Sequence, residues 1–195
     1  MRVCIYASSS DYAHSDFTDD ARRVGELLAQ AGCEIVYGGG SRGSMGAVAD
    51  GALDAGGRVI GILPRFMADL EWGHPGLTHL ELVGDMRERK HRLLSDSDAV
   101  LALPGGCGTL EELFEAITLK RLGIYHNPIL LLNTRDYWSP LLKFMQEQVI
   151  DQHFMNPEHR DIWRLLSRPD EVFDAVEHTP RWNNQARDYA AVRVC

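Results

Sequence analysis

The chain has 195 residues, of which 45% are hydrophobic and 25% charged, a balance that is typical of one globular domain with a sizeable core. The formal net charge of -8 argues against a broad basic surface for nucleic acid. Four cysteines without a C-x-x-C pair and eight histidines without metal-ligand spacing indicate neither a metal site nor a redox motif. The first apolar run is too short for a signal peptide, and no run approaches the ~18 apolar residues of a membrane span, so we expect a cytoplasmic protein.

Short apolar runs alternate with amphipathic segments along most of the chain. In chain order, the runs predict strands at residues 3–7, 34–37, 58–63, 79–83, 99–103 and 128–132. Apolar residues at helical spacing predict helices at residues 17–31, 47–55, 85–95, 109–122, 137–150 and 171–176. Residues 65–78 contain a proline and two glycines and predict a loop. The alternation predicts one nucleotide-binding α/β domain over residues 1–180, a doubly wound Rossmann-like parallel sheet with helices on both faces, followed by a frayed tail at 181–195.

The strongest functional signal lies in residues 101–112, which read L-A-L-P-G-G-C-G-T-L-E-E. The pattern predicts a buried strand, a glycine turn and a helix N-terminus, where free backbone N–H groups suit a phosphate. Glu112 then lies in the first helical turn and faces the same pocket. A structural explanation is equally available, because Thr109 and Glu112 have the spacing of a capping box. The pattern alone does not decide between the two.

Two further polar turns are expected at the same edge of the sheet, because the carboxyl ends of parallel strands meet there. Residues 8–10 follow the first strand and residues 38–40 the second, so Ser8, Ser9, Gly39 and Gly40 are candidates for an additional part of the pocket. Residues 38–43 also match G-x-G-x-x-G, the dinucleotide fingerprint. The acidic residue that the fingerprint requires after the next strand is missing, which argues against a NAD enzyme.

Three basic or nucleophilic features have both structural and functional explanations. Residues 87–90 read R-E-R-K on a helix, which is either a solvated face or a source of arginine for the pocket. Arg65 follows a strand and either serves a phosphate or caps a loop. Cys107 either fills a variable position between glycines or is a nucleophile at a helix N-terminus, where the pKa of a thiol is lowered.

Together these motifs resemble the Lonely Guy (LOG) family of cytokinin riboside 5′-monophosphate phosphoribohydrolases. Residues 104–112 are similar to the family signature P-G-G-x-G-T-x-x-E, residues 89–90 to its R-K pair, and residues 37–41 with 45–46 to its Y-G-G-G-S and M-G segments. The resemblance covers roughly residues 2–150. Ser44 stands where a leucine is common and Ala7 where a glycine is common. Family members are often labelled lysine decarboxylase-like, but this sequence has no motif for a pyridoxal phosphate site.

The resemblance implies an enzyme that hydrolyses the N-glycosidic bond of N6-substituted or plain adenosine 5′-monophosphates. It releases the free base and ribose 5-phosphate, needs no cofactor or metal, and acts as a homodimer. Arg89 and Glu112 correspond to the catalytic residues of the family. The implied substrate contacts are Glu71, Arg89, Lys90, Gly106, Cys107, Gly108, Thr109, Leu110, Glu111, Glu112 and Thr118. The alternative is a non-catalytic carrier of a nucleotide or of the molybdenum cofactor on the same fold, which needs the glycine turns but not Arg89 and Glu112 together.

Overall fold

A computed structural model of the chain describes residues 1–68 and 73–190. Within these ranges seven strands form a single sheet in the order β4-β3-β2-β1-β5-β6-β7, and every neighbouring pair is parallel. The strands are β1 (Arg2–Tyr6), β2 (Glu34–Tyr37), β3 (Arg58–Pro64), β4 (His79–Val83), β5 (Ala99–Ala102), β6 (Ile129–Leu132) and β7 (Trp163–Leu166).

The helices are α1 (Ser15–Gln30), α2 (Gly43–Asp54), α3 (Arg65–Ala68), α4 (Met86–Leu94), α5 (Cys107–Arg121), α6 (Ser139–Phe144) and α7 (Val172–His178). A π-helix at Met145–Ile150 continues α6, and short 3-10 helices lie at Thr134–Asp136, Pro157–Asp161, Pro169–Glu171 and Asn184–Tyr189. No helix of the described ranges is long and apolar enough to cross a membrane.

Helices cover both faces of the sheet, as the sequence predicts. Apolar side chains of α1, α2 and α7 pack on one face, and those of α4, α5 and α6 pack on the other. The central strands are buried on both sides, and their residues form near-continuous runs of Val, Ile, Leu and Ala. Such runs are typical of a parallel sheet between two helical layers. The doubly wound α/β architecture is therefore confirmed.

The order of the strands reverses between β1 and β5, because the chain builds the sheet outward from β1 to β4 and then returns to β5 on the other side of β1. In open parallel sheets, ligands bind in the crevice at such a switch point, beyond the carboxyl ends of the strands. The turns after β1, β2 and β5 all lie at that edge, since the three strands are parallel. The fold thus brings together the three turns that the sequence singled out.

The structure differs from the predicted elements in three places. The sequence pattern does not predict β7, a four-residue edge strand, W-R-L-L, in which polar and apolar residues do not alternate. The predicted helix at 137–150 is divided into α6 and the π-helix. Apolar residues have similar spacing in both, so the sequence does not distinguish them. The predicted loop at 65–78 begins with the single turn of α3.

Part of the predicted frayed tail is ordered against α5. Asn184–Tyr189 forms a 3-10 helix in which Ala186 is buried, and Nη2 of Arg121 donates a hydrogen bond to the carbonyl of Ala190. The backbone N–H of Trp182 donates to the carbonyl of His126. This polar segment lacks periodicity because it is held by a few specific contacts rather than by an apolar face. Residues 191–195 lie outside the described ranges.

Lys120 is buried under this segment near the end of α5 and is only 1% exposed. Its ammonium donates to the carbonyl of Asn127 at 2.9 Å and lies 5.5 Å from the centre of the Trp182 ring. Burial lowers the pKa of Lys120 from 10.5 to about 8, and no acidic side chain of the described residues offsets that effect. A charged lysine here therefore costs stability.

We expect the free energy of unfolding to rise with pH between about 8 and 10 relative to a Lys120→Met variant. The unfolded chain binds more protons at Lys120 than the folded chain in that window, so deprotonation favours folding, by up to roughly 3 kcal/mol. Urea unfolding of both proteins across this pH range measures the difference. Lys143→Met, at an exposed lysine, is the control and should leave the pH profile unchanged.

Candidate active site

A buried ion pair joins the two residues that the family resemblance marks as catalytic. Nη1 of Arg89, on α4, donates to Oε1 of Glu112, on α5, at 2.7 Å, and both side chains are about one-tenth exposed. Nε of Arg89 donates to the carbonyl of Ile62, in β3, at 3.2 Å. The other carboxylate oxygen of Glu112 accepts no hydrogen bond from the described residues. The pair is therefore rigidly oriented, with one oxygen free to meet a substrate or a water molecule.

Burial raises the pKa of Glu112 above its usual value, and the neighbouring Arg89 opposes that rise. Burial is the larger of the two effects. A carboxylate whose pKa moves toward neutrality accepts a proton more readily than an exposed one. A perturbed carboxyl group at the switch point of an α/β sheet is a candidate for acid–base chemistry.

Gly38, at the end of β2, makes room for the guanidinium of Arg89. A Cβ atom at this position would lie 2.2 Å from Nη2 of Arg89 and 2.6 Å from Cε of Met45. The absence of a side chain here is therefore a steric requirement of the ion pair. The sequence pointed to the two next glycines of this turn, and the structure shows that Gly38 is the one in contact with Arg89.

The glycine turn opens α5 three residues earlier than a capping box of Thr109 and Glu112 requires. Gly106 is the N-cap and makes no side-chain cap, and α5 begins at Cys107. Thr109 is therefore the third helical residue, and its hydroxyl donates to the carbonyl of Ala7 at 3.0 Å. The carboxylate of Glu112 faces Arg89 instead of the backbone. The capping-box interpretation is wrong, because both side chains are used for contacts between elements.

Several backbone N–H groups at the start of α5 have no hydrogen-bond acceptor among the described residues. The first N–H groups of a helix have no partner in a preceding turn, and none of those at 106–109 donates to another element of the described chain. Gly105 lies directly against Thr109, because a Cβ atom on Gly105 would be 2.1 Å from the hydroxyl oxygen of Thr109. Gly106 and Gly108 face open space. The turn thus presents unobstructed N–H groups that suit an anion.

Lys90 lies beside the site and is engaged by two carboxylates of α5. Its ammonium is hydrogen-bonded to Glu111, and it lies 3.1 Å from Oε2 of Glu115. The hydrogen bond to Glu111 raises the pKa of Lys90. This lysine is therefore largely neutralised by its neighbours, whereas the guanidinium of Arg89 is buried against Glu112 and the carbonyl of Ile62. Within the basic run at 87–90, Arg89 is thus part of a buried ion pair, and Lys90 belongs to a network of charges with Glu111 and Glu115.

The other predicted contact residues are distributed over α5. Cys107, Gly108 and Glu111 are exposed near its start, and Leu110 is half-buried. Thr118 is exposed but lies six residues after Glu112, about 9 Å further along the helix, so the structure does not bring it to the ion pair. Glu71 lies outside the described residues.

A cavity of about 140 Å³ opens between the turns after β1 and β5, next to α1. Ser8 of the predicted additional pocket lines it, together with Ser44, Phe17, Gly105 and Tyr137. Gly39 and Gly40 lie in the turn after β2, where Gly40 accepts a hydrogen bond from Tyr37 and pairs with Gly73. Tyr137 is not among the site residues predicted from the sequence, although it follows the carboxyl end of β6 and so reaches the same edge.

The fold is a doubly wound α/β sheet, and a glycine turn with free helix N–H groups beside its switch point is a feature that phosphate-binding α/β proteins share. Comparison with known proteins makes the assignment specific. Residues 45–176 match the family model described as "Possible lysine decarboxylase". The chain belongs to this family, which includes the cytokinin riboside 5′-monophosphate phosphoribohydrolases.

Two plant relatives illustrate the similarity. The probable cytokinin riboside 5′-monophosphate phosphoribohydrolase LOGL1 of Oryza sativa subsp. japonica is 43% identical over 168 residues, which cover 86% of this chain and 74% of the relative. LOG3 of Arabidopsis thaliana, named a cytokinin riboside 5′-monophosphate phosphoribohydrolase, is 40% identical over 168 residues, with 86% and 77% covered.

Solved structures share the fold. TM1055 is 28% identical with a TM-score of 0.70, and the match covers 90% of this chain and 98% of that one. The molybdenum cofactor carrier protein of Chlamydomonas reinhardtii is 20% identical with a TM-score of 0.69, over 91% and 96% of the two chains. At that identity the carrier protein supports the fold alone.

Proposed function

We propose that this protein hydrolyses the N-glycosidic bond of adenosine 5′-monophosphates, plain or N6-substituted, and releases the free base and ribose 5-phosphate. The observation that carries the proposal is the buried Arg89–Glu112 pair directly behind the glycine turn. The names of the plant relatives supply the substrate class. A carrier needs a place for phosphate but has no evident use for a buried carboxylate whose pKa is raised.

The residues divide the reaction between them. The N–H groups at residues 106–109 hold the 5′-phosphate. Cleavage of the glycosidic bond leaves positive charge on the ribose, and the Glu112 carboxylate stabilises that charge and orients or deprotonates the attacking water through its free oxygen. Arg89 fixes the carboxylate by its hydrogen bond, and its guanidinium supplies the donors that hold ribose hydroxyls or the phosphate.

Product analysis tests this proposal. We expect incubation with AMP or N6-isopentenyl-AMP to release free base and ribose 5-phosphate in equal amounts. Adenosine, which lacks the phosphate, should be cleaved far more slowly, because it forgoes the contacts of the glycine turn. Binding of AMP without release of base from either nucleotide would contradict the hydrolase and support the carrier.

We further propose a homodimer that works in the cytoplasm, as the sequence predicts. Leu122 and Ile124, directly after α5, are exposed apolar residues, which is compatible with an interface at this helix. Light scattering should give twice the chain mass of 21.9 kDa. A monomer mass at micromolar concentration would contradict the dimer and leave the reaction unaffected.

A further inference from the structure

We propose that Tyr137 is a positioning residue for the phosphate-binding turn. Its hydroxyl donates a hydrogen bond to the carbonyl of Gly105 and thereby fixes the direction of the N–H of Gly106, the first donor of the turn. The inference rests on the proposed function, because it assigns a purpose to Tyr137 only if a phosphate occupies the residues at 106–109. Neither the motifs nor the family resemblance assigns a role to this tyrosine.

The peptide unit between Gly105 and Gly106 is planar, as peptide bonds are. The carbonyl of Gly105 and the N–H of Gly106 belong to one peptide unit, which is trans like every peptide in the described ranges. In a trans peptide these two groups point in opposite directions. A hydroxyl that holds the carbonyl of Gly105 on one side therefore directs the N–H of Gly106 to the opposite side of the peptide unit.

This peptide unit needs an external restraint. It joins two glycines, which have access to both signs of φ, so rotation of the whole unit meets little steric resistance. Gly105 has no room for a larger residue, because a Cβ atom would collide with Thr109. The turn therefore cannot be stiffened by substituting a side chain at that position. A hydrogen bond from another element is the restraint that the fold supplies.

The loop before Tyr137 is itself held in an unfavourable conformation. Arg135 and Asp136 have φ of 55° and 57°, in the left-handed region that is unfavourable for residues other than glycine. Ion pairing of Arg135 with Asp16 at 2.8 Å and a hydrogen bond from Thr134 to Asp20 at 2.6 Å tie the loop to α1. Strain that persists under such restraints is typical of segments that place a functional group.

The side chains of the same loop aim the tyrosine ring. Asn133 accepts a hydrogen bond from the backbone N–H of Trp138 at 2.8 Å and donates to Ser139 at 2.9 Å. The ring of Tyr137 makes edge contacts with Phe17 and Trp138, whose centroids lie 6.2 and 4.9 Å away. The ring is thus fixed on two sides, and its hydroxyl has a defined partner.

The test compares ligands with and without a phosphate on a Tyr137→Phe variant. We expect about tenfold weaker binding of AMP and of ribose 5-phosphate, the size of effect that one lost hydrogen bond produces. Binding of adenosine, measured by competition, should stay unchanged. In the kinetics, KM for AMP should rise more than kcat falls. If Tyr137 had a merely structural role, the variant would bind AMP, ribose 5-phosphate and adenosine all more weakly.

Tyr125→Phe is the matched control, since it removes a buried hydroxyl that has no hydrogen-bond partner among the described residues. It should bind all three ligands like the parent. Asn133→Ala removes the hydrogen bonds to Trp138 and Ser139 that hold the loop, so it should weaken the binding of AMP selectively, as Tyr137→Phe does. Equal affinities of Tyr137→Phe and the parent for AMP, or an equal loss for adenosine, would overturn the inference. Failure of the parent to release base would instead contradict the proposed function.

Discussion

Replacement of Glu112 by glutamine is expected to lower the turnover of AMP by ~10²-fold or more, while the protein still folds and binds AMP. The amide oxygen of glutamine can accept the hydrogen bond from Arg89 that the carboxylate accepts now. An amide is neither a base nor a counter-charge for a ribose cation. The stability cost comes from the unbalanced charge of buried Arg89 and should be about 1–3 kcal/mol.

The pH profile of the parent adds an independent measurement. Because burial raises the pKa of Glu112, we expect kcat to fall on acidification at a pH above that of an ordinary glutamate, as the carboxylate becomes protonated. Glu115→Gln, one turn further along α5 and paired with Lys90, is the control and should keep turnover within about twofold. Release of base by Glu112→Gln at near the parent rate would remove Glu112 from the reaction.

The sequence predicts the architecture well because the sheet is parallel. Buried strands such as β5 and β6 read as pure apolar runs, and the helices between them have apolar residues at helical spacing. The same topology explains why turns that are distant in sequence converge, so the location of the site follows from chain order alone. The π-helix and β7 cannot be predicted in this way, since the π-helix has the pattern of an ordinary helix and β7 that of a loop.

The contacts inside the site are less predictable. Thr109 and Glu112 have the spacing of a capping box, and only the position of the N-cap at Gly106 shows that their side chains point elsewhere. Arg89 belongs to a charged run that looks solvated, yet it is 8% exposed, because Gly38 leaves a space for it. Local patterns do not encode which neighbouring element fills such a space.

The buried position of Arg89 changes what its removal should do. From the sequence alone, a charged residue on a helix surface contributes little stability, and Arg89→Ala should abolish turnover and leave the fold intact. The loss of turnover is still expected from the structure, but an intact fold is not. Without Arg89, the carboxylate of Glu112 is buried with no compensating charge, which typically costs about 3–5 kcal/mol.

We therefore expect Arg89→Ala to be both inactive and destabilised, with a loss of stability that depends on pH. Removal of the arginine raises the pKa of Glu112 further above its value in the unfolded chain, so the folded state holds its proton more tightly. Stability should then fall as pH rises from the ordinary pKa of a glutamate through that raised pKa, and the deficit should be smallest below the first and largest above the second. Urea unfolding at several pH values measures it.

The double variant Arg89→Ala with Glu112→Gln separates the two roles. It removes the uncompensated charge, so it should recover most of the stability lost in Arg89→Ala and should lose the pH dependence. Turnover should stay absent, because neither the carboxylate nor the guanidinium is present. An Arg89→Ala protein as stable as the parent at neutral pH would show that Glu112 is solvated when unpaired. An Arg89→Ala protein that releases base at a near-normal rate would show that the basic run at 87–90 takes no part in the reaction.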